Sequence, residues 1–160
     1  MVEIMFQKMT QADVPALTEI MKRSFNKDSM EFLGTPGGPP GYDTGEFLRK
    51  YGTDHPDSTA FKVLGDGKNI GGVILWITPE QNNHLGCLFL DSDLQDKGFG
   101  FWVWQQVEAM YPHTKIWNTE TPAFTRRNHH FYINKCGFHV VSIDNPKSPE
   151  ASYVMRKIMV

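Results

Sequence analysis

Two glycines at alternate positions, Gly98 and Gly100, follow a short apolar run and precede a helical pattern. Each glycine removes a β-carbon where the backbone turns, so several N–H groups can converge at the start of a helix. The helix dipole places about half a positive charge at that point, and Lys97 adds a full charge. The segment from Gln95 to Gly100 is therefore predicted to bind a phosphate or diphosphate group.

The spacing of these glycines differs from that of the common nucleotide loops. A P-loop requires Gly-Lys-Ser/Thr after a longer loop, and a dinucleotide-binding turn requires a third glycine three residues after the second. Position 103 is Val, so neither pattern is present. The pattern that matches is Q-x-x-G-x-G directly after an apolar strand, and it resembles the acyl-CoA diphosphate loop of the GNAT superfamily of N-acetyltransferases. A plain glycine turn between a strand and a helix is the alternative interpretation.

This resemblance implies a binding site for acetyl-CoA. Backbone groups of Phe89 and Leu90 would pair with the pantetheine arm as a neighbouring strand would. The residues that the resemblance assigns to the diphosphate are Gln95, Asp96, Lys97, Gly98, Phe99 and Gly100. Asn128 would either bond to the pantetheine or cap its own helix.

A second motif, Thr125–Phe138, is predicted to be a helix that Gly137 ends in the left-handed conformation. It is similar to the Phe-Tyr-x-Lys-x-Gly-Phe ending common in GNAT proteins. Matching Phe131-Tyr132 to that pattern leaves one extra residue before the lysine, whereas matching the lysine and glycine puts Ile133 at the tyrosine position. The first alignment is preferred because isoleucine has no proton to donate, and because Asn128 lies four residues before Tyr132 on the same helix face.

Direct acetyl transfer to an amine, the reaction of this family, requires two proton movements. The leaving thiolate needs a proton donor, and a tyrosine with a pKa of ~10 stays protonated at neutral pH. Tyr132 is the candidate acid, and a purely structural buried tyrosine is the alternative. The attacking amine must lose its proton to a base or a water chain. Glu120 is the candidate base at the end of a predicted strand, with His84 as the second candidate.

Composition indicates one globular domain over residues 1–160, with 40% apolar and 21% charged residues. The net charge of -2 argues against a general binder of nucleic acids or anionic membranes. Cys87 and Cys136 are too few for a disulfide framework and fit reduced thiols. His84 and Cys87 have half of a metal-site spacing without a second pair, so no metal is expected. The N-terminal segment lacks a signal-peptide core, and a cytoplasmic location is expected.

Hydrophobic periodicity predicts the elements that position these residues. They are a strand at 2–8, a helix from Thr10 or Asp13 to about Phe25, a loop at Asn26–Gly45, a short helix at Glu46–Tyr51, a hairpin at 59–77, strands at His84–Leu90 and Lys115–Glu120 around a helix at Phe99–Met110, and closing strands at 138–144 and 151–158. A strand-helix-strand order predicts a parallel pair. The resemblance implies a mixed α/β fold, a mostly antiparallel twisted sheet with one parallel pair and about four flanking helices.

The expected function is an N-acetyltransferase that moves an acetyl group from acetyl-CoA to a primary amine of a small molecule or peptide. The long Asn26–Gly45 segment is expected to form a lid or wall of the acceptor site. A non-catalytic acyl-CoA sensor with the same pocket is one alternative, and a domain that uses the glycine turn for ATP is another. The sequence leaves open the acceptor, the identity of the base and the oligomeric state, a homodimer included.

Overall fold

The structure is a computed structural model that describes residues 2–160, and within them seven strands form one mixed sheet. The strands are β1 (Ile4–Lys8), β2 (Ser58–Gly65), β3 (Lys68–Trp76), β4 (Asn82–Leu90), β5 (Ile116–Pro122), β6 (His139–Asp144) and β7 (Ser152–Ile158). Their order in the sheet is β1-β2-β3-β4-β5-β7-β6. Strands β4 and β5 are parallel, and the pairs β1/β2, β2/β3, β5/β7 and β6/β7 are antiparallel. The predicted mixed sheet with one parallel pair is confirmed.

The helices precede or follow these strands in the predicted order. They are α1 (Val14–Leu33), α2 (Glu46–Leu48), α3 (Phe99–Met110) and α4 (Arg126–His129), and α2 and α4 continue as π-helical turns at Arg49–Thr53 and His130–Lys135. The chain divides into two compact units: the first is the chain up to Trp76 together with Gly86–Gly100, and the second is Ile77–Leu85 together with Phe101–Val160. The single domain over residues 1–160 stays a prediction, and its first residue, Met1, lies outside the described residues.

Helix α1 supplies much of the core of the first unit. Leu17, Ile20 and Met21 are spaced three and four residues apart, so they lie on one helix face, and all three are buried. They pack in one cluster with Ile74 of β3 and Phe89 of β4. The helix therefore lies against the strands that precede the glycine turn.

The same helix is longer than its sequence pattern predicts. The prediction of a loop from Asn26 was wrong, because α1 continues to Leu33 and ends at Gly34, whose φ of 78° is left-handed. The interior position in the last turns is Ser29, which is buried although it is polar. A polar residue at the buried position hides the apolar period, so the loop is confined to residues 34–45.

Close backbone packing explains the Gly-Gly pair inside β3. A Cβ on Gly71 would lie 2.1 Å from the carbonyl oxygen of Phe89, and a Cβ on Gly72 would lie 2.8 Å from the Phe89 ring. Asp91 N–H donates a hydrogen bond to the Ile70 carbonyl at 2.8 Å. The end of β4 is therefore held tightly against β3 in the first unit.

The second unit has an aromatic core. Trp104 of α3 is fully buried, with its ring 5.1 Å from that of Trp117 and 5.3 Å from that of Phe138. Trp104 is therefore part of the core of the second unit. Lys157 of β7 forms an ion pair with Glu108 of α3 at 3.0 Å, which joins the helix to the closing strand.

Candidate active site

The glycine turn combines two left-handed residues at alternate positions. Asp96 has a φ of 63° and Gly98 a φ of 86°, and both are exposed. Left-handed residues within a short turn allow successive N–H groups to point toward one side, which is a geometry that binds anions. A Cβ added to Gly98 would meet no atom within 4 Å, so the space beside the backbone is open. This open turn is the candidate site for a diphosphate.

Gly100 is the second residue of α3, so it lies inside the helix predicted at Phe99–Met110 and directly after the turn. A glycine there places no side chain at the second helical position, so a ligand can approach the helix N-terminus closely. Phe99 is the first residue of the helix, and Lys97 lies exposed between the two left-handed residues.

Polar side chains of α1 hold the segment that leads into the turn. Arg23 donates hydrogen bonds from Nε and Nη2 to the two carboxylate oxygens of Asp91 at 3.1 and 2.9 Å. One helical turn later, Lys27 Nζ donates to the Ser92 carbonyl at 3.0 Å. The Arg23 guanidinium lowers the pKa of Asp91, more strongly than burial of the carboxyl raises it.

The side chain of Gln95 also contacts α1. Its Nε2 donates to Ser24 Oγ at 3.1 Å, and Ser24 is buried. The side-chain amide therefore anchors the turn to the helix. The part of Gln95 that is suited to hold a diphosphate is its backbone, as in the rest of the turn.

The side chains of Phe89 and Leu90 are buried, with exposed fractions of 3% and 7%. The Phe89 ring packs in the core of the first unit beside Met9 and Ile74. A ligand at the end of β4 therefore meets the main chain of these residues rather than their side chains. That arrangement suits strand-like pairing with an amide-containing arm.

In the second unit, Glu120 and Asn128 each have a defined partner. The exposed Glu120 carboxylate accepts a hydrogen bond from Ser152 Oγ of the neighbouring strand β7. Asn128 Nδ2 donates to Thr121 Oγ1 at 3.0 Å. The alternative in which Asn128 caps its helix is wrong, because α4 begins after Thr125 and Asn128 is its third residue.

His84 lies on β4 opposite Asn118 of β5, in the parallel part of the sheet. Desolvation lowers the pKa of its imidazole below the ordinary value. Because the neutral form is then favoured at neutral pH, His84 keeps a nitrogen able to accept a proton. It remains a second candidate base beside Glu120.

The helix that carries Tyr132 contains a π-helical turn, His130–Lys135. Cys136 N–H donates to the carbonyl of Phe131, five residues earlier, at 3.0 Å. A π-helical turn holds one residue more than an α-helical one. It therefore accommodates the additional residue that the preferred alignment of the second motif requires.

The end of this helix fixes the Tyr132 ring. Gly137 has a φ of 88°, which confirms the predicted left-handed ending. Tyr132 is 7% exposed, and its ring lies 5.1 Å from that of Phe131 and 5.8 Å from that of Phe138. The ring is thus packed from two sides, as a precisely positioned hydroxyl requires.

The sequence profile of the acetyltransferase (GNAT) family matches residues 16–138 of the chain, which includes the glycine turn, β5 and both π-helical turns. The chain belongs to the GNAT acetyltransferase family. It is therefore an acetyl-CoA-dependent acyltransferase, and the predicted family and fold are confirmed.

Relatives of this GNAT protein occur among sequences and solved structures. It is 30% identical over 144 residues to the uncharacterized protein YrkN of Bacillus subtilis (strain 168), covering 89% of this chain and 77% of YrkN. An acetyltransferase from Thermus thermophilus matches with a TM-score of 0.77 and 16% identity over 98% of this chain and 97% of its own. The PaiA N-acetyltransferase of Thermoplasma acidophilum, solved in complex with coenzyme A, matches with a TM-score of 0.76 and 17% identity over 98% of this chain and 99% of its own. These structural matches show the GNAT fold.

Neither cysteine of this GNAT chain is suited to act as a nucleophile. Desolvation raises the pKa of the Cys87 and Cys136 thiols to about 12, so both are protonated at neutral pH. Residues 2–160 contain no group of three or more His, Cys, Asp or Glu side chains that could hold a metal ion. No helix in that range has the length and apolar character needed to cross a membrane.

Sequence reasoning missed the α1 contacts to this GNAT loop. The sequence pattern does not single out Arg23 or Lys27. The one signal in the chain is their i, i+4 spacing on a helix that precedes the glycine turn, but that spacing is shared by many solvated helix faces. Tertiary packing determines which basic side chains of α1 contact the loop, and a local sequence pattern does not show this packing.

Replacing Arg23 with Gln is expected to raise the pKa of Asp91 toward its ordinary value and to weaken coenzyme A binding about twofold to fivefold. The effect is small because exposed ion pairs contribute ~0.2–1 kcal/mol. The lowered pKa means that Asp91 stabilises the folded loop above about pH 3.9, its unfolded value, and that this contribution is lost as the pH falls through the folded pKa. Carboxyl titration by NMR and calorimetry with coenzyme A measure the two effects.

The matched control is Lys22→Gln, which removes the same charge from the adjacent, exposed position of α1. It should leave both the Asp91 pKa and the coenzyme A affinity unchanged. Equal weakening by both variants would show that the overall charge of the helix matters and that the Arg23 contact does not.

Proposed function

We propose that this acyltransferase moves the acetyl group of acetyl-CoA to a primary amine of a small molecule or peptide by direct attack. The observation that carries the proposal is the open glycine turn, in which Asp96 and Gly98 adopt left-handed conformations ahead of the α3 N-terminus. A diphosphate needs N–H donors and positive charge, and the turn supplies both. With Tyr132 as the proposed proton donor, the chain has both a binding element and an acid.

In this proposal the cofactor residues act mainly through the backbone. Those that hold the diphosphate are Gln95, Asp96, Lys97, Gly98, Phe99 and Gly100. The main chain of Phe89 and Leu90 pairs with the pantetheine amides, because the two side chains are buried in the core. The Asn128 side chain, whose Nδ2 donates one hydrogen bond to Thr121 Oγ1, bonds to the pantetheine through its oxygen.

The chemical step forms one C–N bond and breaks one C–S bond. The amine nitrogen attacks the thioester carbonyl carbon, and Glu120 accepts the proton of the amine directly or through water. Tyr132 donates its hydroxyl proton to the departing sulfur. The Ser152 hydroxyl, which donates a hydrogen bond to the Glu120 carboxylate, is the contact that positions the proposed base.

The proposal is tested by two measurements on the intact chain. Calorimetry compares acetyl-CoA, coenzyme A and ATP at one fixed salt concentration, and acetyl-CoA is expected to bind more tightly than ATP. Release of free thiol from acetyl-CoA is then followed with a panel of monoamines, polyamines, aminoglycosides and peptides. Binding without amine-dependent thiol release would support a sensor instead, and a preference for ATP would reject the assignment of the turn.

A further inference from the structure

A cluster of half-buried rings lies in the first unit, away from the glycine turn along the chain. Phe47 and Tyr51 come from α2 and its π-helical extension, His55 follows them, and Trp76 ends β3. The ring centroids are 4.8 Å apart for Phe47 and Tyr51, 6.4 Å for Tyr51 and Trp76, and 5.6 Å for His55 and Trp76. These four residues form what we call the aromatic cluster.

The aromatic cluster lies against the beginning of the β4 segment in the same unit. A Cβ on Gly86 would lie 2.2 Å from Cζ3 of Trp76, so the indole ring covers this glycine directly. Cys87 packs on the same side-chain core as Phe47, Tyr51 and Trp76. Gly86 of β4 therefore has no side chain, and the Trp76 ring occupies the space where a side chain would lie.

The direction of β4 relates the cluster to the thioester. The proposed diphosphate loop follows Leu90, so an arm that pairs with Leu90 and Phe89 runs backward along the strand toward Gly86. Four residues of extended strand span about 13 Å at ~3.3 Å per residue. The reactive end of the arm is thereby directed toward the Trp76 ring.

The chemistry of the cluster favours one kind of acceptor. Half-exposed rings offer flat apolar area, and stacking on such rings is favourable beyond simple burial. The ring of Tyr51 already has a cation over it, because Lys50 Nζ lies 5.3 Å from its centroid. The Lys50 ammonium would repel a second cation placed at that face. This repulsion disfavours acceptors that carry several positive charges.

We propose that the aromatic cluster is the acceptor wall of this acetyltransferase and that it selects primary amines with an aromatic body over polyamines and aminoglycosides. This inference rests on the proposed function, because it uses the direction of the pantetheine arm along β4. Tyr42 fixes the 34–45 loop to α1: its hydroxyl donates to Asn26 Oδ1 at 2.7 Å, and its ring lies 6.1 Å from that of Phe25.

Two variants change the wall without breaking hydrogen bonds of its indole. The indole Nε1 of Trp76 is buried and has no hydrogen-bond partner within residues 2–160, so Trp76→Phe removes ring area alone. Tyr51→Leu removes the ring under Lys50. Phe61→Leu is the control, since it replaces another half-buried ring of the first unit, one that packs 5.8 Å from Phe6 on β1.

The experiment compares 2-phenylethylamine with spermidine and kanamycin as acceptors. The parent protein should show a kcat/KM for 2-phenylethylamine at least tenfold above that for spermidine or kanamycin. Trp76→Phe and Tyr51→Leu should each lower the 2-phenylethylamine value about twofold to tenfold, the usual range for an aromatic contact. The affinity for coenzyme A and the values for Phe61→Leu should be unchanged.

A binding measurement keeps the inference separate from the proposed function. Calorimetric titration of the coenzyme A complex with 2-phenylethylamine should show binding that weakens in Trp76→Phe, whether or not the amine is acetylated. Such binding without turnover would reject the proposed reaction and support the wall. Turnover with a preference for spermidine or kanamycin, or equal loss for all amines in Trp76→Phe, would overturn the wall while leaving the reaction intact. A lack of 2-phenylethylamine binding to the parent complex would also overturn it.

Discussion

Replacing Gly98 with Val is expected to weaken coenzyme A binding about 10-fold to 100-fold. Gly98 has a φ of 86°, and a β-branched residue in that region costs ~1–3 kcal/mol. The loop can relieve this strain by changing its backbone, since Gly98 is exposed and has open space around it. That change turns the N–H groups away from the diphosphate. Calorimetry with acetyl-CoA at fixed ionic strength measures the loss.

The matched control for this variant is Gly67→Val. Gly67 lies in the β2–β3 turn with a φ of 80°, and a Cβ there would also meet no atom within 4 Å. Both variants should therefore lower the unfolding temperature by similar amounts, but only Gly98→Val should lower the affinity for coenzyme A. Unchanged binding in Gly98→Val, or equal weakening by Gly67→Val, would show that the turn does not hold the diphosphate.

Sequence alone was sufficient for the strand, turn and helix around Gly98. The signals there are local: an apolar run ending at Leu90, glycines at alternate positions, and an apolar helical stripe that starts at Phe99. The left-handed ending at Gly137 was predictable for the same reason, because a glycine followed by an apolar residue is a local helix-ending signal. Elements that are determined by neighbouring residues in the sequence could therefore be predicted from the sequence alone.

The contacts that hold the turn could not be predicted in this way. Arg23 meets Asp91 across 68 positions of sequence, and Gln95 meets Ser24 across 71. No periodicity shows which helix face a distant strand end will pack against. The underestimated length of α1 had the same origin, because buried Ser29 interrupts the apolar pattern and only tertiary packing reveals that its position is interior.

The structure of the second motif, Thr125–Phe138, could be predicted only in part. The sequence shows one extra residue between Tyr132 and Gly137, but its spacing does not show how the backbone absorbs it. The π-helical turn does so through the bond from Cys136 N–H to the Phe131 carbonyl. A hydrogen bond of this kind depends on how the helix end packs, so the sequence by itself leaves two alignments open.

Tyr132→Phe is expected to lower kcat about 10²-fold or more, with the affinity for acetyl-CoA changed less than about twofold. The hydroxyl is the proposed donor to the leaving sulfur, and general acid catalysis contributes ~10²–10⁴-fold. The Phe ring keeps the packing on Phe131 and Phe138, so the fold should tolerate the change. Single-turnover rates and calorimetry separate the chemical step from binding.

The same substitution distinguishes the two alignments of the motif. If Ile133 occupied the tyrosine position, Tyr132 would stand at the family's phenylalanine position, and Tyr132→Phe would restore the common residue with little effect on kcat. Tyr111→Phe is the control, because it removes a hydroxyl from another tyrosine of the second unit, whose ring lies 6.3 Å from that of Trp117. A large loss of kcat in Tyr132→Phe alone would support the alignment of Phe131-Tyr132 with the family's Phe-Tyr. Equal kcat values in the two variants would show that Tyr132 is not the acid.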